Sequence, residues 1–261
     1  MLTVAIDGPG GSGKSTLAAA LADRLGVERL DTGAMYRAVA LAALDAGVAP
    51  GDAAGVEELA RGMDVRVSGA RVDLGGVDVS GSVRTPDVTR AASVVAAHPG
   101  VRAELVARQQ AWVRARGGGV VEGRDIGAVV CPDADLKLYV TASESERARR
   151  RAAELAGTEA TGTEATGTEA GRTGAPGPTG APGPLDVEAV AAELARRDRD
   201  DSTRAASPLG VAPGAIVIDT THRRVDDLVA EILDLLALAE RAPADGDPAG
   251  RATAGRPPAE G

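Results

Sequence analysis

Residues 2–25 read LTVAIDGPGGSGKSTLAAALADRL, in which a strand-like segment, a glycine-rich loop and a helix-like segment follow one another directly. The first six residues (2–7) form a short apolar run that is typical of a buried strand. In residues 15–25 the apolar side chains recur at helical spacing, and Gly26 supplies a natural stop. The loop between them, Gly8–Ser15, matches the phosphate-binding pattern G-x-x-x-x-G-K-[ST]. The sequence therefore predicts a strand–loop–helix unit that binds a nucleotide.

The loop has the chemistry that a triphosphate requires. Its glycines allow successive backbone N–H groups to converge on an anion, and the N-terminal end of the following helix adds positive potential. Lys14 supplies a charge for the β- and γ-phosphates, and the hydroxyl of Ser15 is the expected ligand of Mg²⁺. The alternative is a chance match in a chain with 34 glycines, but one of only two lysines falls on the lysine of the motif. The predicted nucleotide-binding residues are Gly8, Pro9, Gly10, Gly11, Ser12, Gly13, Lys14, Ser15 and Thr16.

The composition excludes several classes of protein. The 261 residues include 29 Lys and Arg against 38 Asp and Glu, and only 1% are aromatic. Such a chain, without a basic stripe or aromatic stacking platforms, is a poor candidate for binding nucleic acid. No apolar run could span a bilayer and no export signal is visible, so we expect no membrane partner and a cytoplasmic location. A single cysteine and two isolated histidines argue against a disulfide framework and against a Cys- or His-based metal site.

The remainder of the chain alternates strand-like and helix-like patterns. Further strands are expected at 120–122, 136–140 and 215–219, and helices at 143–155 and 224–240. Strands that alternate with helices imply an α/β fold with a parallel sheet covered on both faces.

Three other segments have patterns of their own. Residues 65–81 alternate with period two around glycine turns, which predicts a small antiparallel meander in an inserted subdomain. Residues 157–184 contain a tandem GTEAT repeat followed by a TGAPGP repeat, and residues 242–261 have the same low-complexity character. Such segments cannot offset the entropy of ordering, so both are expected to be disordered. The sequence therefore predicts one domain over residues 1–240 and a disordered tail over residues 241–261.

The kind of P-loop protein follows partly from a missing residue type. A GTPase needs an Asn-Lys-x-Asp element to read guanine, and the chain contains no asparagine. A motor or transport ATPase would normally be longer and carry further modules. A small phosphotransferase is the class that remains.

LDTGAMYR (30–37) resembles the LD[ST]GAxYR element of the bacterial cytidylate kinases, which are nucleoside-monophosphate (NMP) kinases. The resemblance continues through ASVVAAHPGVR (92–102), EGRDIG (122–127) and RDRDDSTRAASPL (197–209), and covers nearly all of residues 1–238 in order. It implies a three-layer P-loop fold with a central parallel sheet, an inserted NMP-binding subdomain with a small antiparallel sheet, and a mobile lid.

The same resemblance implies approximate subdomain limits. The NMP-binding insertion falls at about 60–103 and the lid at about 150–206, with the repeat at 157–184 inside the lid. A flexible loop tolerates extra length cheaply, because the entropy of closing it grows only logarithmically. The repeat is therefore expected to lengthen the lid without adding chemistry.

The resemblance also implies roles for individual residues. Those expected to bind CMP are Thr32, Tyr36, Arg37, Ser93, Arg102, Arg124, Asp125, Arg197, Asp201 and Arg204. Ser93, Arg102 and Asp125 would read the cytosine edge, since a carboxylate accepts from the exocyclic amine while Arg and a hydroxyl donate to ring acceptors. Thr32, Arg37 and Arg124 would hold the phosphate, Arg197 and Asp201 would contact the ribose, and Arg204 would approach the phosphates.

Other interpretations of these residues stay open. By itself, Tyr36 is more typical of a residue that packs beneath the loop than of one that touches a ligand. Arg197, Asp201 and Arg204 recur at i, i+4 and i+7, which is also the pattern of a solvated, salt-bridged helix face.

The implied reaction is transfer of the ATP γ-phosphoryl group to CMP or dCMP by a monomer with Mg²⁺. Lys14, Arg37, Arg124 and Arg204 would be the catalytic cations that bring two mutually repelling phosphates into line. A closing lid would exclude water. The alternatives are a sibling kinase acting on UMP, AMP, shikimate or gluconate, a non-catalytic nucleotide sensor, and an interaction protein that acts through the repeat.

Overall fold

A parallel sheet of five strands and a smaller antiparallel sheet organise this computed structural model, which describes residues 2–162, 187–204 and 209–241. In chain order the elements are β1 (Thr3–Asp7), α1 (Lys14–Leu25), β2 (Arg29–Asp31), α2 (Thr32–Asp45), α3 (Ala53–Gly62), β3 (Val65–Ser68), β4 (Arg71–Leu74), β5 (Val77–Asp78), α4 (Pro86–Val95), α5 (Pro99–Arg116), β6 (Gly119–Gly123), β7 (Leu136–Thr141), α6 (Glu144–Gly162), α7 (Val187–Thr203), β8 (Ile216–Asp219) and α8 (Val225–Arg241). The large sheet has the order β2-β6-β1-β7-β8 and the small one β3-β4-β5. This architecture confirms the predicted α/β class.

The predicted strands of the large sheet are all present, with bounds shifted by at most one residue. The small sheet lies within the segment predicted as a meander. The strand β2 is an addition that the periodicity did not indicate. It has only three residues, Arg-Leu-Asp, too few to show a pattern, and its parallel pairing with β6 is what defines it.

The helix predicted over residues 143–155 is longer than expected. α6 continues through the first GTEAT repeat to Gly162, so the prediction that residues 157–162 are disordered is wrong. Glu and Ala are good helix formers, and extending an existing helix is far easier than nucleating one. The rest of the repeat, residues 163–184, and the tail from residue 242 lie outside the described residues.

One face of the large sheet is covered by α1 and α8. Leu17 and Leu21 of α1 pack with Leu228 and Ile232 of α8 against Ile6 of β1, and all five side chains are buried. This apolar layer forms a continuous core, and its burial stabilises the sheet at about 25 cal/mol for each Å² removed from water. None of the helices in the described ranges is both long and apolar enough to cross a membrane.

Replacing Leu228 with alanine is expected to lower the free energy of unfolding by about 2–5 kcal/mol, because it leaves a cavity in this layer. Urea denaturation monitored by circular dichroism measures the loss. Arg224→Ala, at a largely exposed side chain one turn earlier, is the control and should change the free energy by no more than about 0.5 kcal/mol. Equal effects of the two changes would contradict this description of the core.

The opposite face is covered by the second apolar layer, in which Val39 of α2, Val95 of α4 and Leu105 of α5 are buried. The small sheet adds Val72 to this layer. Cys131 is also buried here, and burial raises the pKa of its thiol to about 11. A thiol with so high a pKa is almost entirely protonated at neutral pH and is therefore a poor nucleophile.

The carboxyl ends of three neighbouring strands carry the motifs found in the sequence. Asp7 at the end of β1 pairs in register with Gly123 of β6, and Asp31 at the end of β2 pairs with Glu122. The phosphate-binding loop, the LDTG segment and the GRD segment therefore leave the sheet side by side. This edge is where open parallel sheets bind their ligands.

Candidate active site

The phosphate-binding loop has a backbone conformation that its glycines make possible. Gly8 has a φ of +148°, and a Cβ atom there would lie 2.0 Å from the carbonyl oxygen of Val140. Gly13 has a φ of +86° and directly precedes α1. Any larger residue at Gly8 would force the loop away from the sheet.

Lys14 is buried at the start of α1, and its Nζ donates a hydrogen bond to the carbonyl oxygen of Pro9 at 2.6 Å. Burial lowers the pKa of Lys14 to about 7, and the positive charge of Arg124 adds to this effect. The nearby carboxylates of Glu122, Asp7 and Asp198 only partly oppose it. The lysine is thus a cation whose charge would be stabilised by an arriving anion.

Ser15 is joined to a carboxylate that the sequence analysis did not single out. Its Oγ donates to Glu122 Oε2 at 2.7 Å, while Arg29 Nη1 donates to Glu122 Oε1 at 3.0 Å and to the Ser15 carbonyl oxygen at 3.1 Å. Glu122 is buried, which raises its pKa, although Ser15, Lys14 and Arg29 oppose the rise. A usable signal was the position of Glu122 at the end of the strand predicted over residues 120–122, although its neighbourhood with the P-loop strand is known only from the structure.

The LDTG segment caps α2 and holds an arginine. Asp31 accepts from the backbone N–H of Ala34 at 3.0 Å and from Arg37 Nη2 at 2.8 Å. Burial opposes ionisation of Asp31, but Arg37 and the Ala34 N–H outweigh it, so the pKa of this carboxyl is lowered. Thr32 donates its hydroxyl to the Glu122 carbonyl oxygen at 2.7 Å. Sequence reasoning missed the role of Asp31 in orienting Arg37.

The three residues expected to read a base are brought into one cleft. Arg102 and Asp125 form an ion pair with side chains only 6% and 8% exposed, and Ser93 lines the same cleft. The Arg102 guanidinium lies 5.8 Å from the centre of the Tyr36 ring. Tyr36 packs against the apolar core and also lines the cleft, so the two interpretations of this residue are compatible.

Arg197 and Asp201 of α7, and Arg204 directly after the end of this helix, line the cleft rather than facing solvent. Asp201 accepts from Arg124 Nε at 2.8 Å, and its backbone carbonyl accepts from Arg204 Nε at 3.3 Å. Burial and the charge of Arg124 lower the pKa of Arg197 to about 10. The pattern i, i+4 and i+7 here is therefore not that of a solvated helix face.

Several guanidinium nitrogens in the cleft lack hydrogen-bond partners. Within the described part of the chain these are the buried atoms Arg37 Nε, Arg197 Nε and Arg204 Nη2, of which Arg204 Nη2 has only an ion-pair contact of 3.6 Å with Asp201 Oδ1. Buried donors are almost always satisfied, so an unsatisfied cluster of cationic donors points to an anionic ligand.

Most of the predicted site residues line a single cleft with a volume of about 620 Å³. These are Gly10, Gly11, Gly13, Lys14, Ser15, Thr16, Thr32, Tyr36, Arg37, Ser93, Arg102, Arg124, Asp125, Arg197, Asp201 and Arg204. Gly8, Pro9 and Ser12 do not line it and support the loop from behind. For example, the Ser12 carbonyl oxygen accepts from Thr220 Oγ1 at 2.9 Å.

Two residues of α6 and α7 meet at the phosphate-binding loop without having been predicted there. Arg147 pairs with Asp198 and donates to the Gly10 carbonyl oxygen at 3.1 Å. Asp198 Oδ1 accepts from the Gly10 N–H at 3.4 Å. Arg147 lies among several arginines of α6, and no pattern in the sequence distinguishes it from its neighbours.

A P-loop at the edge of a parallel sheet, an inserted antiparallel subdomain and a cleft lined by arginines define a phosphotransferase of the nucleoside-monophosphate kinase class. The comparisons with known proteins specify the family. The family model described as cytidylate kinase matches residues 4–167 and 180–238, and this chain belongs to that family.

Relatives from several bacteria share the family and most of the chain. A protein named cytidylate kinase from Symbiobacterium thermophilum is 45% identical over 237 residues, covering 89% of this chain and 94% of the relative. One from Mycobacterium leprae is 43% identical over 235 residues, covering 90% and 95%. A third, from Solibacter usitatus, is 41% identical over 235 residues, covering 90% and 92%.

Proposed function

We propose that this protein transfers the γ-phosphoryl group of ATP to the 5′-phosphate of CMP or dCMP and acts as a monomer. The observation that carries the proposal is the cluster of unsatisfied guanidinium nitrogens in the same cleft as the phosphate-binding loop and the buried Arg102–Asp125 pair. Such a cleft suits two nucleotides whose phosphates meet. Residues of this chain supply the phosphate-binding loop, the base-reading trio and the arginines of the cleft, and the monomer is part of the proposal.

The chemistry requires charge neutralisation more than proton transfer. The acceptor is already an anion, so no strong general base is needed, and Lys14, Arg37, Arg124 and Arg204 supply positive charge around the reacting phosphates. Asp31 and Asp201 hold two of these arginines in place through ion pairs of 2.8 Å. Fixed cations of this kind stabilise the charge that develops on the transferred group without having to reorganise.

In this proposal three side chains recognise the cytosine base, one as an acceptor and two as donors. Asp125 accepts from the exocyclic amine of cytosine, while Arg102 and Ser93 donate to the ring nitrogen and the carbonyl oxygen. Uracil has a carbonyl oxygen in place of that amine, and it would face the carboxylate of Asp125 unfavourably. Arg197 and Asp201 lie on the ribose side, and the segment at about 150–206 acts as the lid.

The residues at the end of the phosphate-binding loop fit a magnesium ion. Ser15 Oγ and Glu122 Oε2 lie 2.7 Å apart, and hydroxyl and carboxylate oxygens are ligands that Mg²⁺ prefers. Ser15 would hold the ion, with Glu122 beside it and Arg29 fixing the carboxylate. Bound together with ATP, Mg²⁺ neutralises part of the charge on the β- and γ-phosphates.

An assay of ADP release with CMP, dCMP, UMP and AMP as acceptors tests the proposal. We expect turnover with CMP and dCMP. Turnover with AMP but not with CMP would assign the protein to a sibling kinase. ATP binding without transfer to any of the four would favour the nucleotide sensor instead. Size-exclusion chromatography with light scattering measures the molar mass in solution and tests whether the protein is a monomer.

Binding of ATP at about pH 8 is expected to take up protons. Free Lys14, with its pKa of about 7, is mostly neutral at that pH, and the negative triphosphate raises this pKa in the complex. The protein therefore gains up to one proton on binding, and ATP affinity falls as the pH rises above 7. Calorimetry in two buffers with different ionisation enthalpies measures the uptake. Lys14→Met should abolish it, and an uptake that persists in this variant would contradict the assignment to Lys14.

A further inference from the structure

Asp7 is a buried carboxylate that lines no part of the cleft and has no role in the chemistry described so far. It is the last residue of β1, directly before the phosphate-binding loop, and is 3% exposed. Its Oδ1 accepts from the backbone N–H of Ile126 at 2.7 Å, and its Oδ2 accepts from that of Gly127 at 2.8 Å. The end of β1 is thus joined through two charge-assisted hydrogen bonds to the segment that follows the neighbouring strand β6.

These two N–H groups begin a tight turn directly after the base-reading carboxylate. Residues Ile126–Val130 form a single π-helical turn, and Asp125 is the residue that precedes it. The first N–H groups of a helical turn have no partner within the turn and need an outside acceptor. Asp7 supplies that acceptor for two of them. It therefore fixes the backbone from which the side chain of Asp125 departs toward Arg102.

The surroundings of Asp7 tie it closely to this turn. Burial raises its pKa, its two backbone donors oppose that rise, and the charges of Asp125 and Lys14 act on it with opposite signs. A Cβ atom on Gly127 would lie 3.4 Å from Asp7 Oδ2 and 3.1 Å from the Cβ atom of Ala212. The turn is thus held closely from both sides, and a loss of either hydrogen bond should let it move.

We propose that Asp7 is a positioning residue for base selectivity, which holds Asp125 in register with the exocyclic amine of the acceptor nucleotide by anchoring the turn at Ile126 and Gly127. This inference rests on the proposed use of CMP as the acceptor. Asp7 would also connect the two parts of the site, because it directly precedes the phosphate-binding loop and anchors the turn that follows Asp125. Selectivity for the base then depends on a side chain that never touches it.

The test is the ratio of kcat/KM for CMP to kcat/KM for UMP in Asp7→Asn. Asparagine keeps the size of aspartate but offers one acceptor, and its amide nitrogen would face a backbone donor. We expect the ratio to fall by about tenfold or more, which corresponds to losing the charge-assisted hydrogen bond between the displaced Asp125 and the exocyclic amine of cytosine. The dissociation constant for ATP without acceptor is compared at about pH 6, because loss of the Asp7 charge also lowers the pKa of Lys14 and the lysine is mostly protonated at that pH. It should change there by less than about threefold, since the phosphate-binding loop itself is intact.

A structural role alone would not change this ratio, because a smaller folded fraction lowers both kcat/KM values equally. Leu228→Ala is the matched control: it should lose stability and keep the wild-type ratio. Gly127→Ala keeps Asp7 but crowds the same turn, and it should lower the ratio in the same direction. It is the variant to use if Asp7→Asn does not fold.

Outcomes for the inference and for the proposed function are separable. If the wild-type enzyme prefers CMP and both variants keep its ratio, Asp7 only stabilises the fold and the inference is overturned. If the wild-type enzyme does not phosphorylate CMP, the proposed function fails before any variant is measured.

Discussion

Replacing Lys14 with methionine should reduce kcat by about 10²–10³, the typical cost of removing one fixed group that stabilises transition-state charge. The Lys14 side chain is buried at the start of α1 and lines the cleft beside the phosphate-binding loop. Methionine keeps most of the aliphatic volume, so the fold should be preserved. Coupled measurement of ADP release at saturating CMP gives kcat, and circular dichroism checks the folding of the variant.

Lys14→Arg is the informative control for that experiment. Arginine keeps the positive charge, but its planar group is larger than an ammonium and cannot occupy the position 2.6 Å from the Pro9 carbonyl oxygen. We expect it to recover little of the lost activity. A fully active Lys14→Arg enzyme would mean that charge alone, without position, accounts for the role of Lys14.

Replacing Arg102 with methionine should raise the KM for CMP by about 10–150-fold, which corresponds to the loss of one or more charge-assisted hydrogen bonds. The KM for ATP should stay within about threefold of the wild-type value, because Arg102 is not part of the phosphate-binding loop. Steady-state kinetics with each substrate varied in turn separates the two. Equal increases in both values would contradict a base-reading role.

The same substitution should also destabilise the protein, because Asp125 is left as a buried carboxylate without its partner. The expected loss is about 3–5 kcal/mol. The double variant Arg102→Met/Asp125→Asn removes both charges and should regain much of that stability without regaining affinity for CMP. Recovery of CMP affinity in the double variant would assign the effect of Arg102 to folding rather than to recognition.

Local patterns in the sequence account for much of the fold. The strand before Gly8 is a short apolar run, the helix after Ser15 has apolar residues at helical spacing, and β7 and β8 are short segments that are mostly apolar. By contrast, β2 exists only because Arg29, Leu30 and Asp31 pair with β6, which is a contact between residues far apart in the chain. Information of this kind cannot be read from a three-residue segment.

The candidate site divides in the same way. Lys14 belongs to a motif whose residue types already indicate phosphate chemistry, while the roles of Arg37 and Arg124 are predicted from the resemblance to the cytidylate kinases. Glu122 and Asp7 act through partners that the fold supplies, namely the Ser15 hydroxyl and the backbone of Ile126 and Gly127, as their hydrogen bonds indicate. Which carboxylates orient other groups depends on how the strand ends pack together. Residue type alone therefore does not identify Glu122 or Asp7.

The burial of Cys131 has a practical consequence for following the motion of this enzyme in solution. Because it is the only cysteine and its thiol is shielded with a pKa of about 11, maleimide dyes should leave the native chain unlabelled. Cysteines introduced at two exposed positions, Asp23 on α1 and Ala192 on α7, can then carry a donor and an acceptor fluorophore while Cys131 stays in place. The chain thus needs no removal of native thiols before single-molecule measurement of the distance between α7 and the nucleotide-binding core.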